Sequence, residues 1–367
     1  MIAGKRLRVC HVVLSLHPGG LENGVVNVVN GLESEHFHSS ICALQQRGEF
    51  ADRIRDPAVE IVEMGLRPGN DLRMPLRLAR LFRTLGTDLV HTRNAESLFY
   101  GLLGAKLAGV RYVIHSEHGR TFPEKPHRAL VQRWLMRFVD YSFAVSARLK
   151  EDLVREIGVE RDRLDIIYNG VDLGKFSAER AGSNAGETLI GSVGRLEPVK
   201  NYPLLVRALA EIPAPNRGRL VLVGEGSERG KLEQLARQLG VHAQVNLTGH
   251  RDDVPTLLQE MDIFVLPSLS EGMSNTLLEA MAAGAAVVAS DVGGNRELVE
   301  HEVTGLLFES NNLGQLVDAL TRLQTDIALR HRLARAAADR VRQKFSMQAM
   351  LARYEQMYRN VAGAPRP

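Results

Sequence analysis

Strand-like and helix-like segments alternate from one end of the chain to the other. The strand-like segments are short and almost wholly apolar, and amphipathic helical patterns lie between them. Apolar strands joined by helices are typical of parallel sheets that helices cover on both faces. The pattern therefore predicts an α/β fold built from doubly wound sheets. The predicted strands are 7–14, 38–44, 59–63, 88–92, 111–116, 140–145, 164–168, 188–193, 219–223, 244–248, 262–266 and 286–290.

Residues 173–187 interrupt this alternation. Their sequence, LGKFSAERAGSNAGE, is small, polar and glycine-containing, as a linker is. We therefore predict two similar domains, over residues 1–172 and 188–345, each long enough to bury its own core. Doubly wound sheets bind ligands at the carboxyl ends of their strands, so we expect the two domains to face a central cleft that holds the ligand. A last helix is predicted over 346–360, with Ser346 as its N-cap.

The composition is that of an ordinary globular protein, with 44% hydrophobic residues, 24% charged residues and a net charge of +3. Cys10 and Cys42 lie in strand-like runs and indicate a reducing compartment. The first apolar run is short and contains His11, so we predict a strand there and not a signal peptide. No run is long enough to span a membrane. We therefore expect a cytoplasmic protein that is at most peripheral at the inner face of the cell membrane.

The segment LPSLSEGMSNTLLEAMAAG (266–284) carries the strongest site signal, because it holds two glutamates around a turn that opens a helix. The helix is predicted to begin at Asn275 or Thr276, so that the backbone amides from Gly272 onward point at an anion. Glu271 lies on a loop beside glycine, where the pattern gives it no structural role. Glu279 has an alternative role, because Thr276-Leu-Leu-Glu279 fits a capping box.

Cations and glycines follow the first strand of each half. Arg195 and Lys200 flank the turn after the strand near 188–193, where they suit a diphosphate that gains charge. The alternative is solvated surface charge. Gly19 and Gly20 precede a predicted helix start, where anions are favoured and the backbone can approach a ligand closely. A tight turn without a ligand explains these glycines equally well.

Polar side chains also crowd two strand ends of the first half, at 91–94 and 115–120. We favour His118 as a site residue because Gly119 leaves room beside it, although a single histidine in such a place is more often structural. The stretch 120–138 is basic and carries apolar bulk. It predicts contact either with an anionic membrane or with an anionic acceptor, and a solvated helix face is the competing interpretation.

Several motifs are missing from the sequence. It contains no Asp-x-Asp, His-Glu-x-x-His or cysteine–histidine cluster, so we expect no catalytic metal. It contains neither a P-loop nor a complete G-x-G-x-x-G fingerprint, which disfavours a P-loop ATPase and a nicotinamide dehydrogenase.

Taken together, these motifs resemble the retaining glycosyltransferases of family four, which have the GT-B fold. The resemblance is carried, over nearly the whole chain, by PGGLE (18–22), YNGVD (168–172), GSVGRLEPVKN (191–201) and the two glutamates of 266–284. GGLENG, HTRN, EHGR and VGGNRELV further resemble the sugar transferases associated with bacterial exopolysaccharide and exosortase gene clusters. The resemblance implies an acceptor-side first domain, a donor-binding second domain, and a terminal helix that crosses back onto the first domain.

The resemblance also implies roles for individual residues. Glu279 holds the ribose hydroxyls, Glu271 contacts the donor sugar, and His118 reaches a sugar hydroxyl near the reaction centre. Met273 departs from the family pattern, where many members carry a smaller or an aromatic residue. The predicted catalytic residues are His118, Glu271, Arg195 and Lys200. The predicted donor-binding residues are Gly19, Gly20, Arg195, Lys200, Gly272, Met273, Ser274, Asn275, Thr276 and Glu279.

The sequence thus predicts a metal-independent enzyme without a cofactor. We expect it to transfer a sugar, with retention of configuration, from a nucleoside-diphosphate sugar to a hydroxyl of a glycan or lipid-linked acceptor. UDP is favoured because it is the commonest donor nucleotide, and we expect no nucleic-acid partner. The alternatives are a sugar-nucleotide epimerase of the same fold and a non-catalytic sugar-nucleotide sensor.

Overall fold

A computed structural model describes residues 6–363 apart from 68, 70, 120–124, 177–186, 215 and 216. The chain forms two compact units. The first unit comprises residues up to Tyr168 and from Met350 onward, and the second comprises Asn169–Ala349. Most of the predicted linker, 177–186, lies outside the described residues, as does the start of the basic stretch, 120–124.

The first unit contains a parallel sheet that has seven strands within the described residues, in the order β3-β2-β1-β4-β5-β6-β7. Its central strands β1 and β4 pair along their lengths, with His11 opposite His91. β4 is buried at every position, as expected for a strand that helices cover on both faces. The strands are β1 Leu7–Val13, β2 Phe37–Ala43, β3 Glu60–Glu63, β4 Leu89–Arg93, β5 Tyr112–Glu117, β6 Tyr141–Ala144 and β7 Leu164–Ile166.

Helices connect these strands, and a short π-helical turn lies at Leu153–Ile157. They are α1 Gly20–Gly31, α2 Met74–Thr84, α3 Asn94–Ala108, α4 Pro126–Met136 and α5 Ala147–Asp152.

The second unit contains a parallel sheet that, in the described part of the chain, has six strands in the order β10-β9-β8-β11-β12-β13. In both parallel sheets the strand order therefore reverses beside the first strand of the unit, which is where doubly wound sheets bind ligands. The strands are β8 Leu189–Val193, β9 Arg219–Val223, β10 Val245–Gly249, β11 Ile263–Leu266, β12 Ala286–Ser290 and β13 Leu306–Phe308. The helices are α6 Tyr202–Glu211, α7 Arg229–Gln238, α8 Val254–Glu260, α9 Asn275–Ala282, α10 Asn295–Leu298, α11 Leu313–Thr325 and α12 Ile327–Lys344.

The α/β fold with two Rossmann-like doubly wound sheets is confirmed. The strand prediction missed β13, because its three residues are too few to show a period in the sequence. The last helix, α13, runs over Met347–Gly363, and the Ser346 hydroxyl accepts a hydrogen bond from the Ala349 amide at 3.2 Å. Ser346 is therefore the N-cap, as predicted. From Met350 onward α13 belongs to the first unit.

Candidate functional site

Two loops at the carboxyl ends of β8 and β11 meet through an ion pair. Lys200 lies at the end of a short helical turn after β8, and its Nζ donates to Oε1 of Glu271 at 2.6 Å. The Ser268 hydroxyl donates to the same carboxylate oxygen at 2.7 Å. The Lys200 and Glu271 side chains are only 19% and 11% exposed, so the pair is largely shielded from water.

Backbone contacts hold the same two loops in register. The Leu269 amide donates to the Val199 carbonyl at 2.8 Å, and the hydroxyl of buried Ser290, at the end of β12, donates to the Ser268 carbonyl at 2.6 Å. The structure therefore brings the predicted residues Lys200 and Glu271 together. It also gives Glu271 a structural role that the sequence pattern did not show, because this carboxylate links the two loops.

The turn at 272–276 opens α9 as predicted. The Ser274 hydroxyl caps the helix by accepting from the Leu277 amide at 3.3 Å, and Asn275 is the first helical residue. Thr276 thus lies inside the helix, and Glu279 lies beyond the third helical position that a capping box requires. The capping-box alternative for Glu279 is therefore wrong, because the N-cap is Ser274, two residues before the Thr276 that this alternative needs as N-cap.

The loop after β12 packs against this turn. Gly293 has a φ of +52°, and a Cβ atom at this position would lie 1.7 Å from the Glu271 carbonyl oxygen. The Gly294 amide donates to the Gly272 carbonyl at 3.0 Å. Only a glycine fits this close backbone approach, and the position of the Glu271 turn therefore depends on it.

Met273 faces inward and is held by Asn169. The Asn169 side-chain amide donates to the Met273 carbonyl at 3.3 Å, and the Asn169 backbone amide lies 3.2 Å from the Met273 sulfur. Met273 is buried. Its side chain therefore fixes the turn from within the second unit, a role that suits a long flexible side chain.

Arg195 differs from Lys200 in its surroundings. It is exposed, and its side chain has no hydrogen bond or ion pair with the residues that the structure describes. The loop after β8 therefore carries two cations, the exposed guanidinium of Arg195 and the shielded ammonium of Lys200. Both are close in sequence to the start of α6 at Tyr202. Such a loop can bind a diphosphate, because both cations and helix-start amides stabilise negative charge.

In the first unit, His118 directly follows β5 and is half-buried. Its amide donates to the side-chain oxygen of Asn94 at 2.9 Å, and its Nε2 lies 2.9 Å from the Ser116 hydroxyl. Burial lowers the pKa of His118 well below its ordinary value, and the Arg93 charge lowers it further. His118 is therefore a neutral imidazole at physiological pH, able to form hydrogen bonds but not an ion pair.

Gly19 and Gly20 lie at the start of α1. Gly19 is the N-cap in an extended conformation, φ −171°, which any residue adopts. A Cβ atom there would lie 2.2 Å from Oε2 of Glu22, a flexible side chain. Their predicted part in a phosphate cradle stays a prediction.

Within the described ranges, no three His, Cys, Asp or Glu side chains are arranged to hold a metal ion. In the same ranges, every helix is too short or too polar to cross a membrane.

Sequence reasoning missed Ser268, Ser290, Asn169 and Gly293, all of which support the Glu271 turn. Asn169 lies in the YNGVD motif and Gly293 lies in VGGNRELV. The sequence therefore pointed to both segments but did not assign a role to either residue. Ser268 and Ser290 had no signal, since a single serine at a strand end has many explanations.

Known proteins match the chain over both units. Residues 18–175 match the family Glycosyltransferase Family 4, and residues 175–340 match Glycosyl transferases group 1. The chain is 29% identical over 351 residues to UDP-Gal:alpha-D-GlcNAc-diphosphoundecaprenol alpha-1,3-galactosyltransferase of Escherichia coli, covering 88% of this chain and 89% of that protein. It is 31% identical over 279 residues to a glycosyltransferase of Methanocaldococcus jannaschii, covering 71% and 72%.

Solved structures share the fold. Anabaena HepE, in complex with UDP and glucose, superposes with a TM-score of 0.86 over 96% of this chain and 99% of that one, at 22% identity. One assignment follows from the two Rossmann-like units, the two family matches and the Methanocaldococcus jannaschii relative. The chain belongs to the family-four glycosyltransferases of the GT-B fold, enzymes that transfer a sugar from a nucleotide-sugar donor.

Proposed function

We propose that this enzyme transfers a sugar from a UDP-sugar to a hydroxyl of a glycan or lipid-linked acceptor, with retention of configuration. The observation that carries the proposal is the meeting of Lys200, Glu271 and the α9 start at the strand ends of the second unit. The name of the Escherichia coli relative, which covers most of both chains, supports a UDP-linked donor and an acceptor on a diphospholipid. The same support favours a role in exopolysaccharide or cell-envelope glycan synthesis.

The difficult step is departure of the nucleoside diphosphate. Its oxygen leaves the anomeric carbon with the bonding electron pair, and Arg195, Lys200 and the α9 amides stabilise the charge that develops. The 272–276 amides complete the cradle, and Glu279 holds the ribose hydroxyls. Lys200 is already held close to the loop by Glu271, so its ammonium is oriented before the donor binds.

Glu271 suits orientation of the donor sugar better than nucleophilic attack. Two donors, the Lys200 ammonium and the Ser268 hydroxyl, bind the same carboxylate oxygen. Such bonds stabilise the charged carboxylate and reduce its nucleophilicity. In the proposed reaction the acceptor oxygen attacks the anomeric carbon on the face that the diphosphate leaves, and the acceptor proton passes to the departing phosphate oxygen.

A thermal-shift experiment tests the donor site. UDP-sugars should raise the Tm, because a ligand that binds only the folded state stabilises by RT ln(1 + [L]/Kd), about 2.7 kcal/mol at a hundredfold excess over Kd. The shift should persist in EDTA, since the proposed cradle uses cations and amides. Measurement with UDP-, GDP- and ADP-sugars compares the bases. No shift with any of them contradicts the donor site, and loss of the shift in EDTA contradicts metal independence.

Release of UDP separates this function from its alternatives. A transferase releases UDP faster when its acceptor is present, whereas an epimerase converts its donor without an acceptor and a sensor releases nothing. We favour transfer because the chain belongs to a family of transferases.

We also propose that α4 lies on an anionic membrane surface. Large apolar side chains are exposed along it: Leu130, Val131 and Trp134 on α4 and Phe138 two residues beyond its end are 67%, 43%, 53% and 45% exposed. Leu130, Trp134 and Phe138 recur every four residues, and the Trp134 and Phe138 rings are 4.9 Å apart. The opposite face, with Gln132, Leu135 and Met136, is buried.

The charged residues within this stretch of sequence are all positive. Residues 125–139 contain Lys125, Arg128, Arg133 and Arg137 and no acidic residue. An apolar face flanked by cations is typical of helices that lie in the plane of an anionic membrane. Each cation near such a surface contributes about 1 kcal/mol, so the binding should weaken in salt.

Vesicle sedimentation tests this contact. The protein should bind phosphatidylglycerol-containing vesicles and not pure phosphatidylcholine. Trp134→Ser should weaken binding about tenfold or more, since burial of a large apolar side chain contributes about 1.5–3 kcal/mol. Leu239→Ser is the matched control, because Leu239 is also exposed but lies in the second unit. Vesicle binding that depends neither on lipid charge nor on Trp134 contradicts the proposal. Concentration-dependent dimerisation through this face contradicts it as well.

A further inference from the structure

A continuous chain of hydrogen bonds joins His118 to the terminal helix. His118 Nε2 lies 2.9 Å from the Ser116 hydroxyl, and this hydroxyl lies 3.0 Å from Nε2 of His91. Nδ1 of His91 lies 2.7 Å from the Tyr358 hydroxyl on α13. His91, Ser116 and Tyr358 are fully buried, so water does not compete for these bonds.

Each hydrogen bond in this series can have its donor on either side. The environment of Tyr358 decides which side donates. Arg93 lies at the end of β4, is 2% exposed and has no carboxylate within ion-pairing distance among the residues described. Its Nη1 lies 3.0 Å from Nδ1 of His11, and Nε and Nη2 have no hydrogen-bond partner among those residues. A guanidinium only donates, so every oxygen that it faces is favoured as an acceptor.

The Arg93 charge acts on Tyr358. Burial raises the pKa of this phenol, and the Arg93 guanidinium partly opposes that effect. A cation beside the phenol favours the orientation in which the Tyr358 oxygen lone pairs face Arg93 and the O–H points to Nδ1 of His91, 2.7 Å away. His91 then carries its proton on Nε2 and donates to Ser116, and Ser116 donates to Nε2 of His118.

We propose that Tyr358, on the last helix, is a positioning residue that fixes the tautomer of His118 through His91 and Ser116. His118 accepts at Nε2 and therefore carries its proton on Nδ1. It presents a hydrogen-bond donor, not an acceptor, to the ligand. The ligand group that it serves is then an oxygen lone pair, such as that of a sugar hydroxyl. This last step rests on the proposed function, whereas the tautomer does not.

Nuclear magnetic resonance of the full-length protein with ¹⁵N-labelled histidine tests the tautomer directly. Long-range ¹H–¹⁵N correlation distinguishes protonated from unprotonated ring nitrogens, and His118→Gln assigns the His118 signals. The wild-type protein should show His118 protonated at Nδ1. Tyr358→Phe removes only the hydroxyl, and Ser116→Ala interrupts the chain at its middle. Both variants should leave His118 as a mixture of tautomers.

Tyr112→Phe is the matched control. The Tyr112 hydroxyl donates to the Ala362 carbonyl of α13 at 3.0 Å but is not part of the chain. This variant also loses one hydroxyl contact with α13 and should keep the His118 tautomer. His118 protonated at Nε2 in the wild-type protein overturns the proposal. So does an unchanged tautomer in both Tyr358→Phe and Ser116→Ala, and the second variant decides if the first fails to fold.

Activity gives an independent readout. Tyr358→Phe and Ser116→Ala should each lower kcat/KM about tenfold, the worth of one well-placed hydrogen bond. The double variant should be no worse than either single one, because both act through His118. If the tautomer shifts and transfer does not, the positioning of His118 stands and its place in the proposed reaction fails. Additive losses contradict the shared route.

Discussion

Replacing Lys200 with methionine should lower kcat by about 10²–10³-fold, or about 3–4 kcal/mol in the barrier, the usual cost of removing one preorganised donor to a developing charge. Methionine keeps an unbranched side chain of similar length and removes the ammonium. The departing diphosphate then loses a cation that the loop holds in place before the donor binds. UDP release at saturating donor and acceptor measures the effect.

The same variant leaves Glu271 without its cation in a shielded place, so some loss of Tm is expected as well. The double variant Lys200→Met, Glu271→Gln separates the two effects, since it should recover Tm but not kcat. Lys231→Met is the matched control, because Lys231 also forms a 2.6 Å ion pair, with Glu228, but is 74% exposed. A Lys200→Met enzyme with normal kcat and a lower Tm would make Lys200 a purely structural residue.

Replacing Gly293 with alanine should lower kcat/KM by about 10²-fold, the typical effect of misplacing a site by about 1 Å. A Cβ atom at Gly293 would lie 1.7 Å from the Glu271 carbonyl oxygen, so the turn must move. Left-handed backbone costs a residue with a Cβ atom a further ~1–2 kcal/mol. Donor titration and initial-rate kinetics measure the loss.

Gly240→Ala isolates the backbone cost. Gly240 also has a left-handed φ, +69°, but an added Cβ atom would find no atom within 4 Å. This variant should lose similar backbone stability and keep its activity. Equal losses of activity in the two variants would show that the Gly293 contact does not position the site.

Some features of the site were predictable from sequence because their signals are local. Lys200 follows an apolar run and precedes a helical pattern, so its place at a strand end can be inferred from neighbouring residues alone. The start of α9 was predictable for the same reason to within one residue, as Asn275 or Thr276. The cap was not, because Ser274 and Thr276 are both good N-caps and only the backbone path selects Ser274.

Contacts between distant parts of the chain were beyond sequence reasoning. Lys200 and Glu271 are 71 residues apart. Their pairing depends on the conformations of the loops that follow β8 and β11. Gly293 lies in a motif of the sequence, but only the fold shows that it packs against Glu271. Periodicity in a sequence predicts which face of an element is buried, and it does not predict which side chain meets another.

The amino-acid sequence by itself determined the α/β alternation, the two-part organisation and the strand ends where charged residues gather, since each depends on patterns within a few residues. Only the tertiary structure decided that Glu271 binds Lys200 and Ser268, and that Tyr358 reaches His91 across 267 positions of chain. These contacts form when helices and loops pack on a common sheet. Their energies depend on burial and distance in space, which the order of residues does not specify.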